Sequence, residues 1–140
     1  LAVDAIIVIM EVHLLDAAPV PDPGRPRPAV ARVLQGAGAN LILFAFAPGQ
    51  SLPEHRAAHP ITVQCLRGTL DFTWGGRTER LDPGTVVHLP AHVTHRVDRP
   101  DDDASNPRDG EISAVLLLTM LTGAPETVPH QADPGSASKS

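Results

Sequence analysis

The sequence predicts an all-β barrel or sandwich. Short stretches alternate apolar and polar residues, Gly and Pro punctuate the chain between them, and no part of the compact region has helical periodicity. Leu41 to Ala47, LILFAFA, is apolar on both faces and reads as a buried strand ended by the Pro48-Gly49 turn. In Ile61 to Leu66 one face carries Ile61, Val63 and Cys65 and the other Thr62 and Gln64, and Gly68 breaks the run. Leu70, Phe72 and Trp74 then share a face, with Asp71 and Thr73 opposite. Gly75-Gly76 marks a hairpin, with Arg77 to Leu81 as its return strand. Pro83-Gly84 is a further turn before Thr85 to Leu89; Thr94 to Val97 is short, and Ile112 to Leu121 is a long apolar strand.

The two ends differ from this region. Ala18 to Pro28, APVPDPGRPRP, holds five prolines, which argue against a helix or central strand and for an extended arm. After Thr122 the composition turns to Gly, Ala, Pro, Ser and Gln, which predicts a disordered tail containing His130. The layout is therefore an extension and Pro-rich arm over 1–29, a barrel over 30–122 and a tail over 123–140. The opening LAVDAIIVIM is apolar but well short of the ~20 residues of a spanning helix. Its only charge is Asp4, so it lacks the basic start of a signal peptide. Two readings stay open: an upstream extension before a natural start at Met10, or a first strand over Ala5 to Met10. Residues 1–9 and 123–140 pair no clear apolar face with the core and are expected to be dispensable for folding.

At 140 residues the chain has room for one domain with one core. It is 42% hydrophobic and 19% charged, as an ordinary globular protein is. The formal charge of -5, with the basic residues scattered, argues against nucleic acid, and no segment suits a membrane. Cys65 is the single cysteine, so no internal disulfide can form, which is compatible with a cytoplasmic location. Both faces of Leu41 to Ala47 and of Ala114 to Leu121 are apolar, whereas a half-solvated sheet alternates. The outer surface is therefore expected to be covered, by the arm or by a second copy in a homodimer.

The histidines raise the chemical question. In PEHRAAHPITVQCLRG, His55 and His59 stand four residues apart before an apolar strand, either as ligands at a pocket mouth or as polar residues of an ordinary loop. Gly49 is followed after five residues by His55, and Gly68 closes the segment; Gly84 is followed after five residues by Pro90, and His95 lies five further on. This order resembles the small single-domain cupins over about residues 40 to 98, with the last strand extending the likeness to Leu121. The resemblance implies a double-stranded β-helix, a jelly-roll barrel whose interior forms a pocket.

The family's metal set is three histidines and a glutamate, and the likeness places only His55 and His95 on those positions. Ala57 stands where the second histidine would be, Ile61 at the glutamate, His92 at the second motif's glycine and Arg99 at its asparagine. A catalytic metal site generally supplies three protein ligands and an open position. His59, folded inward by its loop, or His92, on the turn after Pro90, would have to supply the third. The candidate set is thus His55, His95, His59 and His92, for Fe, Mn, Ni or Zn. The alternatives are a neutral imidazole hydrogen-bonded inside the barrel for His55 and His95, and an exposed loop histidine for His59 and His92.

Other candidates are weaker. Gln64 lies on the face opposite Ile61; Cys65 reads as a small core hydrophobe; Glu54 reads as a solvated carboxylate. Asp101-Asp102-Asp103 lacks the spacing of a calcium loop. His88 sits mid-strand, on either face. With no Tyr, and Phe44, Phe46, Phe72 and Trp74 read mainly as core, a pocket lined by Ile, Val and Leu suits a small, partly apolar organic molecule. The resemblance allows oxygenase-like or isomerase-like chemistry around an ion; the other reading is a metal-free module for binding or sensing a ligand. No catalytic residue is assigned.

Overall fold

The structure, a computed structural model, describes residues 9–101 and 112–123. Within them the chain forms strands and no helix. In order these are β1 (Ala29–Gln35), β2 (Asn40–Phe46), β3 (Ser51–His55), β4 (Ile61–Arg67), β5 (Leu70–Trp74), β6 (Arg77–Leu81), β7 (Val86–Leu89), β8 (His95–Asp98) and β9 (Ala114–Met120). They build one sheet in the order β1-β2-β9-β4-β7 and a second in the order β3-β8-β5-β6. All seven neighbouring strand pairs in these two sheets are antiparallel.

Alternation dictates what the two sheets enclose. Ile61, Val63 and Cys65 of β4 meet Leu70 and Phe72 of β5, Leu81 of β6, Val97 of β8 and Leu116 and Leu118 of β9 in one buried cluster, joined by Phe44 and Phe46. Gly68, at φ +80°, makes the β4–β5 turn, and a Cβ there would lie 2.8 Å from the Ala114 Cβ. Glycine is needed both for that backbone conformation and for the close approach.

The other face of the five-stranded sheet is not left to solvent. Leu43, Ala45 and Val115 point away from the core cluster and are nonetheless fully buried. Part of the N-terminal arm lies close by: Val12, Leu14 and Leu15 share a hollow of about 460 Å³ with Leu66. Gln50 fastens the arm. It is 2% exposed, its Oε1 accepts from Ala47 N–H, and its Nε2 donates to the carbonyls of Asp22 and Arg25. Ser51 N–H adds a bond to the Pro26 carbonyl.

Two strands differ from the expectation. β1 follows the prolines directly and is an edge strand with one neighbour; its burial alternates from Ala29 to Val33, and the register shifts between Arg32 and Leu34. β3, SLPEH, was not among the strands read from the sequence. It too is an edge strand, and Pro53 falls in the register shift between Leu52 and His55, where a missing N–H costs nothing. The last strand starts at Ala114 rather than Ile112, which is exposed. Ile9 and Met10 form no strand; the rest of the proposed first strand, the tail and most of the acidic loop lie outside the described residues.

Candidate functional site: a paired-histidine corner

A β-bulge sets His55. Leu52 faces Val97 and His55 faces His95, so three residues advance on β3 while two advance on β8. Strict alternation would turn His55 outward, and the extra residue restores it to the inner face. His95 opens β8 and is 2% exposed. The two rings touch edge to face, with centroids 4.2 Å apart and planes inclined at 63°.

Each ring is oriented in the same way. His55 Nδ1 lies 2.8 Å from the Pro53 carbonyl and His95 Nδ1 lies 2.9 Å from the Val93 carbonyl. A carbonyl only accepts, so in each ring Nδ1 holds the proton and donates, and the neutral imidazole keeps a bare lone pair on Nε2. His95 Nε2 is buried and has no hydrogen-bond partner among the described residues. Burial holds the His95 imidazole below its ordinary pKa; the Val93 carbonyl works against that shift, and His55 beside it adds to it.

The pair has an aromatic flank. Phe72 stacks on His95 with centroids 5.6 Å apart, and Trp74 sits across from His95 on β5 and tilts against Phe72 at 5.5 Å. Arg77, across from Trp74 on β6, lays its guanidinium 5.1 Å above the indole and pairs with Glu79 at 2.8 Å. A single cross-strand row therefore runs His55, His95, Trp74, Arg77. Trp74 was read from the sequence as core filler. The alternation of β5 gave its face, but only the β5–β8 register puts it beside His95.

The other histidines stand differently. His59 is half-buried in the segment after β3. His92 is exposed, its N–H donates to the Ala57 carbonyl, and it alone among the described non-glycine residues has positive φ, at 69°. That is the conformation a glycine at this position would take freely. His88 is exposed on the outer face, with Nδ1 3.0 Å from the Ile61 carbonyl. Ala57, at the position of the absent second histidine, packs against the core cluster. Ile61, at the absent glutamate, is fully within that cluster. Among the described residues no three His, Cys, Asp or Glu side chains are grouped to hold a metal ion. The donor set around His55 and His95 thus fits an ion by two bare nitrogens and falls short of the usual three ligands.

Cys65 is removed from this chemistry. Burial pushes its thiol up to about 11, and its Sγ donates to the Gly68 carbonyl at 3.3 Å, so it stays protonated and inert at neutral pH. Arg99 has a structural task, donating through Nη1 to the carbonyls of Phe46 and Ile112.

Comparison with known proteins agrees with this architecture. The family model of the cupin domain matches residues 42–105. None of the curated proteins matches the chain. Among solved structures, an RmlC-like cupin protein from Desulfovibrio desulfuricans is 21% identical with a TM-score of 0.65, covering 81% of this chain and 98% of its own. A conserved protein with a double-stranded β-helix domain from Klebsiella pneumoniae is 17% identical with a TM-score of 0.65, covering 82% and 92%. The TT1209 protein of Thermus thermophilus is 24% identical with a TM-score of 0.62, covering 80% and 98%. At these identities the likeness speaks for the fold. Motif glycines at positive φ, two antiparallel sheets closed around one core and a domain model matching residues 42–105 together show a small cupin-superfamily domain in this chain.

Proposed function

We propose that this barrel binds a small, partly apolar organic molecule at the corner formed by His55 and His95. One observation carries the reading: His95 Nε2 is buried on the inner face of the barrel and has no partner among the described residues. A buried polar atom left without a hydrogen bond costs about 1–3 kcal/mol, and a ligand that engages it returns that cost as affinity. Leu52, Ala57, Trp74 and Val93 are partly buried around the core and supply apolar surface near the pair. The role proposed is recognition of that molecule. A thermal-shift screen of small organic molecules on chelator-treated protein tests it. Hits that stabilise the native chain are expected to lose their effect in His95→Ala and His55→Ala. Stabilisation that survives both substitutions would place the ligand elsewhere.

A second reading has its own support, because both rings hold Nδ1 on a backbone carbonyl and so present Nε2 in the form a metal ion requires. His55 and His95 would hold a divalent ion such as Fe, Mn, Ni or Zn, with His59 or His92 recruited as further ligand. Such an ion would supply Lewis acidity for oxygenase-like or isomerase-like chemistry. Calorimetric titration with zinc or nickel at neutral pH, on protein purified without a histidine tag, is the check. Loss of binding in His95→Ala supports it, and no binding to the native chain rejects it.

A further inference from the structure

We propose that the ligand is a neutral molecule that donates a hydrogen bond, through a hydroxyl or an N–H, to His95 Nε2, and that the site discriminates against carboxylates and molecules that can only accept. This deepens the ligand-binding reading above and rests on it.

The Val93 and Pro53 carbonyls fix the proton of each ring on Nδ1, so both rings offer the site a lone pair and no donor. An ether or ketone oxygen would set a second lone pair against the one on Nε2, and a carboxylate would add a charge. The surroundings do not favour an anion either. His95 is flanked by the rings of Phe72 and His55. The cation on the same row, Arg77, is occupied by the Trp74 face and by the Glu79 carboxylate. A hydroxyl or N–H satisfies the buried acceptor without bringing a charge into the corner. Sites built to bond a substrate hydroxyl reject the analogue that lacks it, because the buried partner is then left unpaired.

The test uses the full chain, chelator-treated and isotope-labelled at its histidine rings, with three probes of similar size: phenol, anisole and benzoate. Phenol donates, anisole only accepts and benzoate is an anion. Phenol is expected to shift the His95 Nε2 resonance saturably, with an affinity about tenfold or more above that of anisole. Benzoate is expected to bind no better than anisole. His95→Gln, which keeps an acceptor oxygen, should retain part of the preference; His95→Phe, packing beside Phe72, should erase it. His55→Phe is the second variant should His95→Phe fail to fold, and it too should reduce the preference. Equal binding of phenol and anisole, lost in His95→Phe, would overturn the donor inference and leave the ligand-binding reading standing. Tighter binding of benzoate would overturn it in the same way. Silence of both rings to all three probes would overturn both, and a response to zinc alone would transfer the site to the metal reading.

Discussion

His95 shows how one side chain ties fold to function. It is buried for its position opposite Trp74 and His55, and burial depresses its pKa, so the folded protein favours the neutral ring. The unfolded chain, with an ordinary value of about 6.5, takes up the proton first as pH falls. The contribution of His95 to stability is therefore intact above about pH 6.5 and is lost progressively below it. Urea midpoints of chelator-treated protein should fall on acidification through that window, and less so in His95→Gln. A second decline belongs to Asp98. Its pKa is lowered by the hydrogen bonds from Arg96 first and from Ser51, so its stabilisation is present above about pH 3.9 and lost further down. Gly68 is the backbone counterpart. Gly68→Ala places a methyl group against Ala114 at positive φ, and a loss of about 1–3 kcal/mol in equilibrium unfolding is expected. The motif glycines and the two motif histidines were legible in the sequence, because each sits at a fixed offset from a turn. His92 shows the limit: the sequence offered it as a ligand, and the backbone gives it a left-handed turn position with an exposed ring.

At the scale of the element, the edge strand β3 does the positioning. Its bulge turns His55 inward, and the Pro53 carbonyl in the same bulge fixes the His55 ring. Deleting Pro53 and Glu54 together should place His55 directly after Leu52 and so turn it outward, so that ligand or ion binding assigned to the pair disappears while the far-ultraviolet β signal persists; deleting Glu54 alone leaves it two residues after Leu52, on the inner face. The arm is the second such element. Gln50→Ala removes the two bonds from Nε2 to the arm and the one accepted from Ala47, with an expected cost of about 1–3 kcal/mol. Limited proteolysis within residues 9–28 should accelerate in that variant; unchanged cleavage would mean that Gln50 does not hold the arm. Strands β2 and β4 to β9 were readable because burial writes itself into alternation or apolar runs. Strands β1 and β3 were not, since each carries a register shift that breaks the period of its short sequence, in β1 between Arg32 and Leu34 and in β3 between Leu52 and His55.

For the whole molecule, the exposed apolar residues concentrate near the N-terminus: Ile9, Met10, Leu15, Val20 and Val30 are all exposed, Val20 by 88%. Pairing of two copies through the arm and the β1 edge is the expected way to cover them. Light scattering at high micromolar concentration should return a dimer mass, and Val20→Asp with Val30→Asp should lower it; a monomer mass for the native chain rejects the pairing. The sequence by itself determined the fold class, since hydrophobic period and turn chemistry are local properties, and it determined that His55 and His95 belong to matching motifs. Only the tertiary structure decided which groups meet. Strand register depends on pairings between residues distant along the chain, and that register set Trp74 beside His95 and Arg77 over Trp74. The apolar runs of β2 and β9 already predicted that the outer face, with Leu43, Ala45 and Val115, lies under cover; only the tertiary structure showed how the arm is fastened, through the bonds of Gln50 to the Asp22 and Arg25 carbonyls.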